Sequence, residues 1–103
     1  MWTAAGGEYY GSKPRPIVIV QDDRFSATFI TICAFTSDPT DAPLFRPAIE
    51  PSETNGLRVI SRLMVDKITT IPKTKLGARI GRLTDKDMVR LNRAIIIFLG
   101  LGG

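Results

Sequence analysis

Histidine is absent from all 103 residues. Its absence removes His-dependent nucleophilic triads, imidazole acid–base pairs and most zinc sites together. Catalysis by this chain without a borrowed cofactor therefore falls to arginine, lysine, carboxylates and hydroxyls, and no cofactor is expected. The single cysteine, Cys33, excludes an intrachain disulfide. Its place in the apolar run 29–35 predicts an inert core thiol rather than a nucleophile. Long apolar runs are missing too: the longest, 94–99 with Gly100 and Leu101 behind it, is far short of the ~20 residues that a membrane span requires. No positive charge precedes an apolar segment at the N-terminus, so no signal peptide is predicted, and a cytoplasmic protein without a membrane partner is expected.

What is present suits one soluble globular domain over 1–103. An apolar content of 44% with 23% charged residues favours neither a disordered nor a fibrous class, and the length supports one core rather than two. The net charge of +4 is unevenly divided. Residues 1–56 carry four basic groups against seven acidic ones, whereas residues 57–103 carry ten against three. A basic half beside an acidic half is the pattern of a nucleic-acid binder or of a protein with an acidic partner; a solvated surface rich in Lys and Arg produces it as well.

The stretch 13–20, Lys-Pro-Arg-Pro followed by Ile-Val-Ile-Val, places a basic residue at the mouth of a strand. Pro14 and Pro16 fix their own φ and push the preceding residues toward extended geometry, so Arg15 has few backbone conformations. Four successive β-branched residues suit a strand covered on both faces. An arginine in such a place is either a solvated surface charge or a guanidinium held on a rigid element for use.

Along the chain, 6–14 reads as a loop in which glycines frame Glu8, Tyr9 and Tyr10. Strands are predicted at 17–21 and 28–35, with Thr36 and Ser37 at the end of the second. A short strand over 44–49 must tolerate Pro47 at an edge or bulge. A turn or a single helical turn follows at 51–56, then strands at 57–60 and 63–71, the last stopped by Pro72. Short strands joined by Gly and Pro turns predict a small barrel. Thr84 can cap a helix with Asp85 and Asp87 in its first turn; Met88, Leu91, Ile95 and Phe98 mark its apolar face and Gly100 its end. Residues 95–99 are apolar nearly all round, so that end needs cover on two sides, which a subunit interface supplies.

Four segments in order resemble the MazF/PemK toxins of type II toxin–antitoxin modules: Gly-x-Lys-Pro-Arg-Pro-Ile-Val-Ile-Val-Gln at 11–21, Phe-Thr-Ser at 35–37, Met-Val-Asp-Lys-Ile at 64–68 and Lys-Leu-Gly-Ala-Arg-Ile-Gly-Arg-Leu at 75–83 leading into the helix. The resemblance spans about 6–101. It implies a mainly β fold, a small SH3-like barrel of the MazF/CcdB type with a C-terminal helix. It also implies a homodimer and a metal-independent endoribonuclease cutting single-stranded messenger RNA at short sequences. A cognate antitoxin would bind and suppress it, and operator DNA would be met only as the toxin–antitoxin complex. The family's catalytic pair matches Arg15 and Thr36, and its first-loop acidic residue matches Glu8. Two departures stand out: the chain opens at Met1-Trp2, inside what is usually the first strand, and Lys67 stands where a glutamine is usual.

The chemistry is consistent with these residues. A ribose 2′-hydroxyl is already attached beside the phosphorus that it attacks, so RNA can be cut with no metal. Arg15 suits neutralisation of the phosphorane, its planar fork holding two oxygens. Thr36 can donate to the same group or to the leaving oxygen. For the base, Glu8, Arg15 itself and a water are open. Tyr9 and Tyr10 stack on unpaired bases or pack within their loop. Lys13, Ser37 and Lys67 lie where substrate is expected. Lys73, Lys75, Arg79 and Arg82 follow the RNA backbone or seat an acidic antitoxin tail. Two other classes stand beside the ribonuclease: a CcdB-like toxin of the same fold that binds a protein such as DNA gyrase, and an inactive relative that binds only antitoxin or operator DNA.

Overall fold

A computed structural model describes residues 1–4, 14–22, 24–25, 28–42 and 44–102. In chain order the elements are β1 (Trp2–Ala4), β2 (Arg15–Ile19), β3 (Phe29–Thr36), β4 (Ala48–Ile49), β5 (Ser61–Leu63), β6 (Thr69–Pro72), β7 (Leu76–Arg79) and α1 (Asp85–Leu99). The strands form one antiparallel, barrel-like sheet in the order β4-β5-β3-β2-β1-β7, with β6 also paired to β3.

β3 is the central strand. One edge pairs with β2 in the register Ile17↔Ala34, Val18↔Cys33 and Ile19↔Ile32. Its other edge is shared: Phe29 to Ile32 pair with β6, and Phe35 and Thr36 with Leu63 and Arg62 of β5. Alternate residues then feed two cores. Val18, Cys33 and Phe35 join Leu63, Val65, Leu91 and Ala94 beneath the helix, while Ile17, Ile32 and Ala34 join Ala4, Ile30 and Met64 on the opposite face. The β-branched run 17–20 is thus covered on both faces where it matters, Ile17 and Val18 being buried. Cys33 is fully buried, and desolvation, aided by the Asp66 carboxylate, pushes its thiol up to about 12, so it is unreactive at neutral pH.

Three strand predictions need correction. The expected strand over 44–49 is only Ala48–Ile49, because 44–46 turn, with the N–H groups of Phe45 and Arg46 both donating to the Ala42 carbonyl. Residues 57–60 make no strand. The expected strand over 63–71 is cut by a one-turn 3₁₀ helix, Val65–Lys67, so that β5 and β6 flank a projecting turn while both remain on β3. The reason is tertiary: Asp66 forms a bidentate pair with Arg46 (3.0 and 3.0 Å), and Val65 sinks into the helix-side core. The motif at 75–83 also holds a strand that no sequence pattern predicts, β7.

The helix follows its sequence signals. Thr84 Oγ1 accepts from the Asp87 N–H (3.2 Å), and Gly100 closes the end at φ 71°. Leu91 and Ala94 are buried and Met88 and Ile95 half-buried. Phe98 touches Phe45, ring centroids 5.8 Å apart, yet stays exposed together with Ile96, Ile97, Leu99 and Leu101.

Candidate active site

Arg15 and Thr36 are 21 residues apart in sequence and meet through strand register. Every β2–β3 pair has positions that sum to 51, and continuing that register by two residues sets Arg15 across from Thr36 at one end of the ladder. Both residues belong to the rim of two depressions. The first, about 420 Å³, is lined by Arg15, Thr36, Met64, Asp66, Lys67, Ile68 and Thr69. The second, about 500 Å³, has Arg15, Thr36 and Ser37 on one side and Arg58, Val59 and Ile80 among its other walls. The pair is therefore a ridge between two hollows.

The local chain explains both positions. Pro14 precedes β2 and Pro16 lies within it, so Arg15 is exposed at a stiff strand start. Beyond Thr36 the chain turns through Ser37-Asp38-Pro39, and the Asp38 N–H donates to Thr36 Oγ1 (3.1 Å). That bond occupies a lone pair of the hydroxyl and leaves its hydrogen to be donated elsewhere. Asp38 itself is turned toward Thr40, whose N–H and hydroxyl both donate to it and hold its carboxyl below the ordinary value.

Among the described residues, Asp66 is the carboxylate that lines either depression. It is a poor base, because both of its oxygens accept from Arg46, which holds its pKa below the ordinary 3.8. Its role is to fix the 3₁₀ turn that presents Lys67 to the first depression. Arg46 carries little local signal in the sequence, since its partner lies 20 positions away.

Lys67 lines the first depression and Ser37 the second. Lys73 and Lys75 sit on a second 3₁₀ turn (Lys73–Lys75), Arg79 ends β7 and Arg82 follows it; none of the four lines either hollow. Glu8, Tyr9, Tyr10 and Lys13, with the loop over 6–14 to which they belong, lie outside the described residues apart from Pro14. The described residues contain no group of three or more His, Cys, Asp or Glu arranged to hold a metal ion.

Known proteins resemble this arrangement throughout the chain. Residues 1–99 match the family model described as PemK-like, MazF-like toxin of type II toxin-antitoxin system. The sequence is 51% identical over 104 residues to a probable endoribonuclease MazF of Mycolicibacterium smegmatis, covering 100% of this chain and 95% of the relative. It is 35% identical over 91 residues to an endoribonuclease MazF of Staphylococcus saprophyticus, covering 84% of this chain and 74% of the relative. Among solved structures, the Mycobacterium tuberculosis toxin MazF-mt6 superposes with a TM-score of 0.78 at 24% identity, covering 97% of each chain. An endoribonuclease in complex with its cognate antitoxin, from a mycobacterial species, gives 0.79 at 22% identity over 99% of this chain and 92% of that one. These two likenesses establish the barrel with its C-terminal helix.

Proposed function

We propose that this chain, which belongs to the PemK-like, MazF-like toxin family of type II toxin–antitoxin systems, is the endoribonuclease of its module and cuts single-stranded RNA across the Arg15–Thr36 ridge. The observation that carries the reading is the ridge itself: Arg15, with its guanidinium, and Thr36, whose hydroxyl has a hydrogen to donate, both line two hollows, each large enough to receive part of a nucleotide chain.

In the reaction, the 2′-oxygen attacks the adjacent phosphorus and loses its proton to a base, the bond from phosphorus to the 5′-oxygen breaks, and that oxygen gains a proton. The products are a 2′,3′-cyclic phosphate and a 5′-hydroxyl, with no water consumed. Arg15 neutralises the phosphorane through its fork, and Thr36 donates to a phosphoryl or leaving oxygen. Because Asp66 is tied to Arg46, it does not compete for the role of base. Glu8 is the candidate for that role, with Arg15 or a water as alternatives. No metal is required, since the attacking group is held in place by the substrate.

The working protein in this reading is a cytoplasmic homodimer. The support for a dimer is the exposed apolar end of α1, where Ile96, Ile97, Phe98, Leu99 and Leu101 lack cover. Its protein partner is a cognate antitoxin, as in the solved relative, and operator DNA is met only by that complex. No helix among the described residues is long and apolar enough to cross a membrane.

Incubation of the purified protein with a long single-stranded RNA in EDTA tests the reading. Discrete fragments ending in cyclic phosphate are expected. Intact RNA would instead fit a toxin that binds a protein target, or an inactive relative.

A further inference from the structure

We propose that the second depression is a nucleotide subsite and that Arg58 binds the RNA backbone there, on the far side of the ridge from Lys67; this rests on the ribonuclease reading above. Residues 50–58 form no strand or helix, yet their backbone is fixed from several directions. Asn55 is only 3% exposed. Its side-chain oxygen accepts from the N–H groups of Ser52 (3.0 Å) and Leu57 (2.9 Å), its amide donates to the Glu50 carbonyl (2.9 Å), and its own N–H donates to Ser52 Oγ (3.1 Å). A second contact locks this loop to the segment before α1. Gly56 adopts φ +70°, and a Cβ on it would lie 2.3 Å from the Ile80 carbonyl oxygen; a Cβ on Gly81 would lie 2.4 Å from that of Thr54. The Arg82 N–H donates to that same Thr54 oxygen (2.9 Å).

What this bracing holds in place is Arg58, exposed on the wall of the hollow that shares Arg15 and Thr36 with the first. Arg24, Arg46 and Arg90 are each engaged by a carboxylate, whereas Arg58 has no ion pair or hydrogen bond from its side chain among the described residues. No described carboxylate lines its depression. A guanidinium so placed keeps both prongs of its fork for a phosphate. Around it, Pro16, Leu57, Val59 and Ile80 supply apolar wall, with Val59 itself 56% exposed. A nucleotide of a single strand offers one flat apolar face and one anionic group, which is the complement of that wall and that cation.

The test is binding of a non-cleavable 2′-O-methyl single-stranded RNA, followed by fluorescence anisotropy over a range of salt, with cleavage of the unmodified RNA measured beside it. Arg58→Ala should bind about tenfold more weakly, the scale of one lost charge-assisted contact. It should flatten the slope of log affinity against log salt by about 0.7, one phosphate's share on a single strand. The kcat/KM for cleavage should fall in step with the affinity, and Arg58→Lys should recover part of both. Arg93→Ala, on α1 and lining neither hollow, removes the same net charge as a control and should bind as the parent does. Affinity and salt slope in Arg58→Ala equal to the parent's, or an equal loss in Arg93→Ala, would overturn the subsite. If the parent cuts RNA while Arg58→Ala behaves like it, the subsite falls and the ribonuclease reading stands. If the parent binds but does not cut, and Arg58→Ala weakens binding as described, the ribonuclease reading falls and the nucleotide site stands.

Discussion

At the scale of single residues, the proposed site turns on what two side chains can donate. Arg15→Lys keeps a positive charge but loses the planar fork, so it should not restore cleavage to an enzyme that depends on bidentate contact. Thr36→Ala removes a neutral hydroxyl, whose hydrogen bond is weaker than a charged one, and should slow cleavage less than loss of Arg15 does. Single-turnover rates for the two variants check the ordering; Arg15→Lys at the parent rate would show that charge alone suffices. Both positions were legible in the sequence because local chemistry marks strand ends: prolines flank Arg15, and hydroxyl and turn-forming residues follow Thr36. Arg46 and Arg58 were not legible as site residues. The first acts through a carboxylate 20 positions away, and the second is aimed by a loop whose geometry depends on close contact with 80–82.

At the scale of elements, the turn Val65–Lys67 shows how tertiary contact overrides a strand pattern. Alternation over 63–71 is good enough for two strands on β3, but the Arg46–Asp66 pair draws the middle of the segment out of line. Arg46→Ala would leave Asp66 without its partner and should lower the melting midpoint by roughly 5–10 °C, equivalent to about 1–2 kcal/mol in a domain of this size. The pair also sets an acid limit. Arg46 holds the Asp66 carboxyl below its ordinary 3.8 in the folded state, so the unfolded chain takes up that proton first as pH falls. The pair's contribution is complete above the ordinary value and is lost as pH drops through the folded one. Thermal melts between about pH 7 and about pH 3 should therefore fall less steeply in Asp66→Asn than in the parent; parallel acid limbs would show that the pair does not carry the dependence. β1 and β7 are only three and four residues long, too short for periodicity to reveal, and they become strands by pairing with each other, β1 pairing with β2 on its other edge.

For the whole molecule, charge and exposed apolar surface decide the partners. The apolar end of α1 needs cover, and Ile96, Ile97, Phe98 and Leu99 are exposed. If the parent is the proposed dimer, Phe98→Lys should yield a monomer in sedimentation equilibrium at roughly micromolar concentration, because burying an unpaired charge opposes association. A parent that sediments as a monomer would contradict the dimer. The excess of basic groups over 57–103 predicts that antitoxin binding weakens as salt rises, since exposed charges are screened within about 8–10 Å near physiological ionic strength. Affinity unchanged over a tenfold rise in salt would show that another surface dominates. The central claim is that the Arg15 guanidinium stabilises the phosphorane on this ridge, and it is tested most directly by single-turnover cleavage of saturating RNA in EDTA by the parent and Arg15→Ala, with circular dichroism on the same samples. The account predicts a folded variant slowed on the order of a hundredfold or more, the scale of one preorganised donor to a developing anion; a folded Arg15→Ala protein that cuts at the parent rate would contradict it.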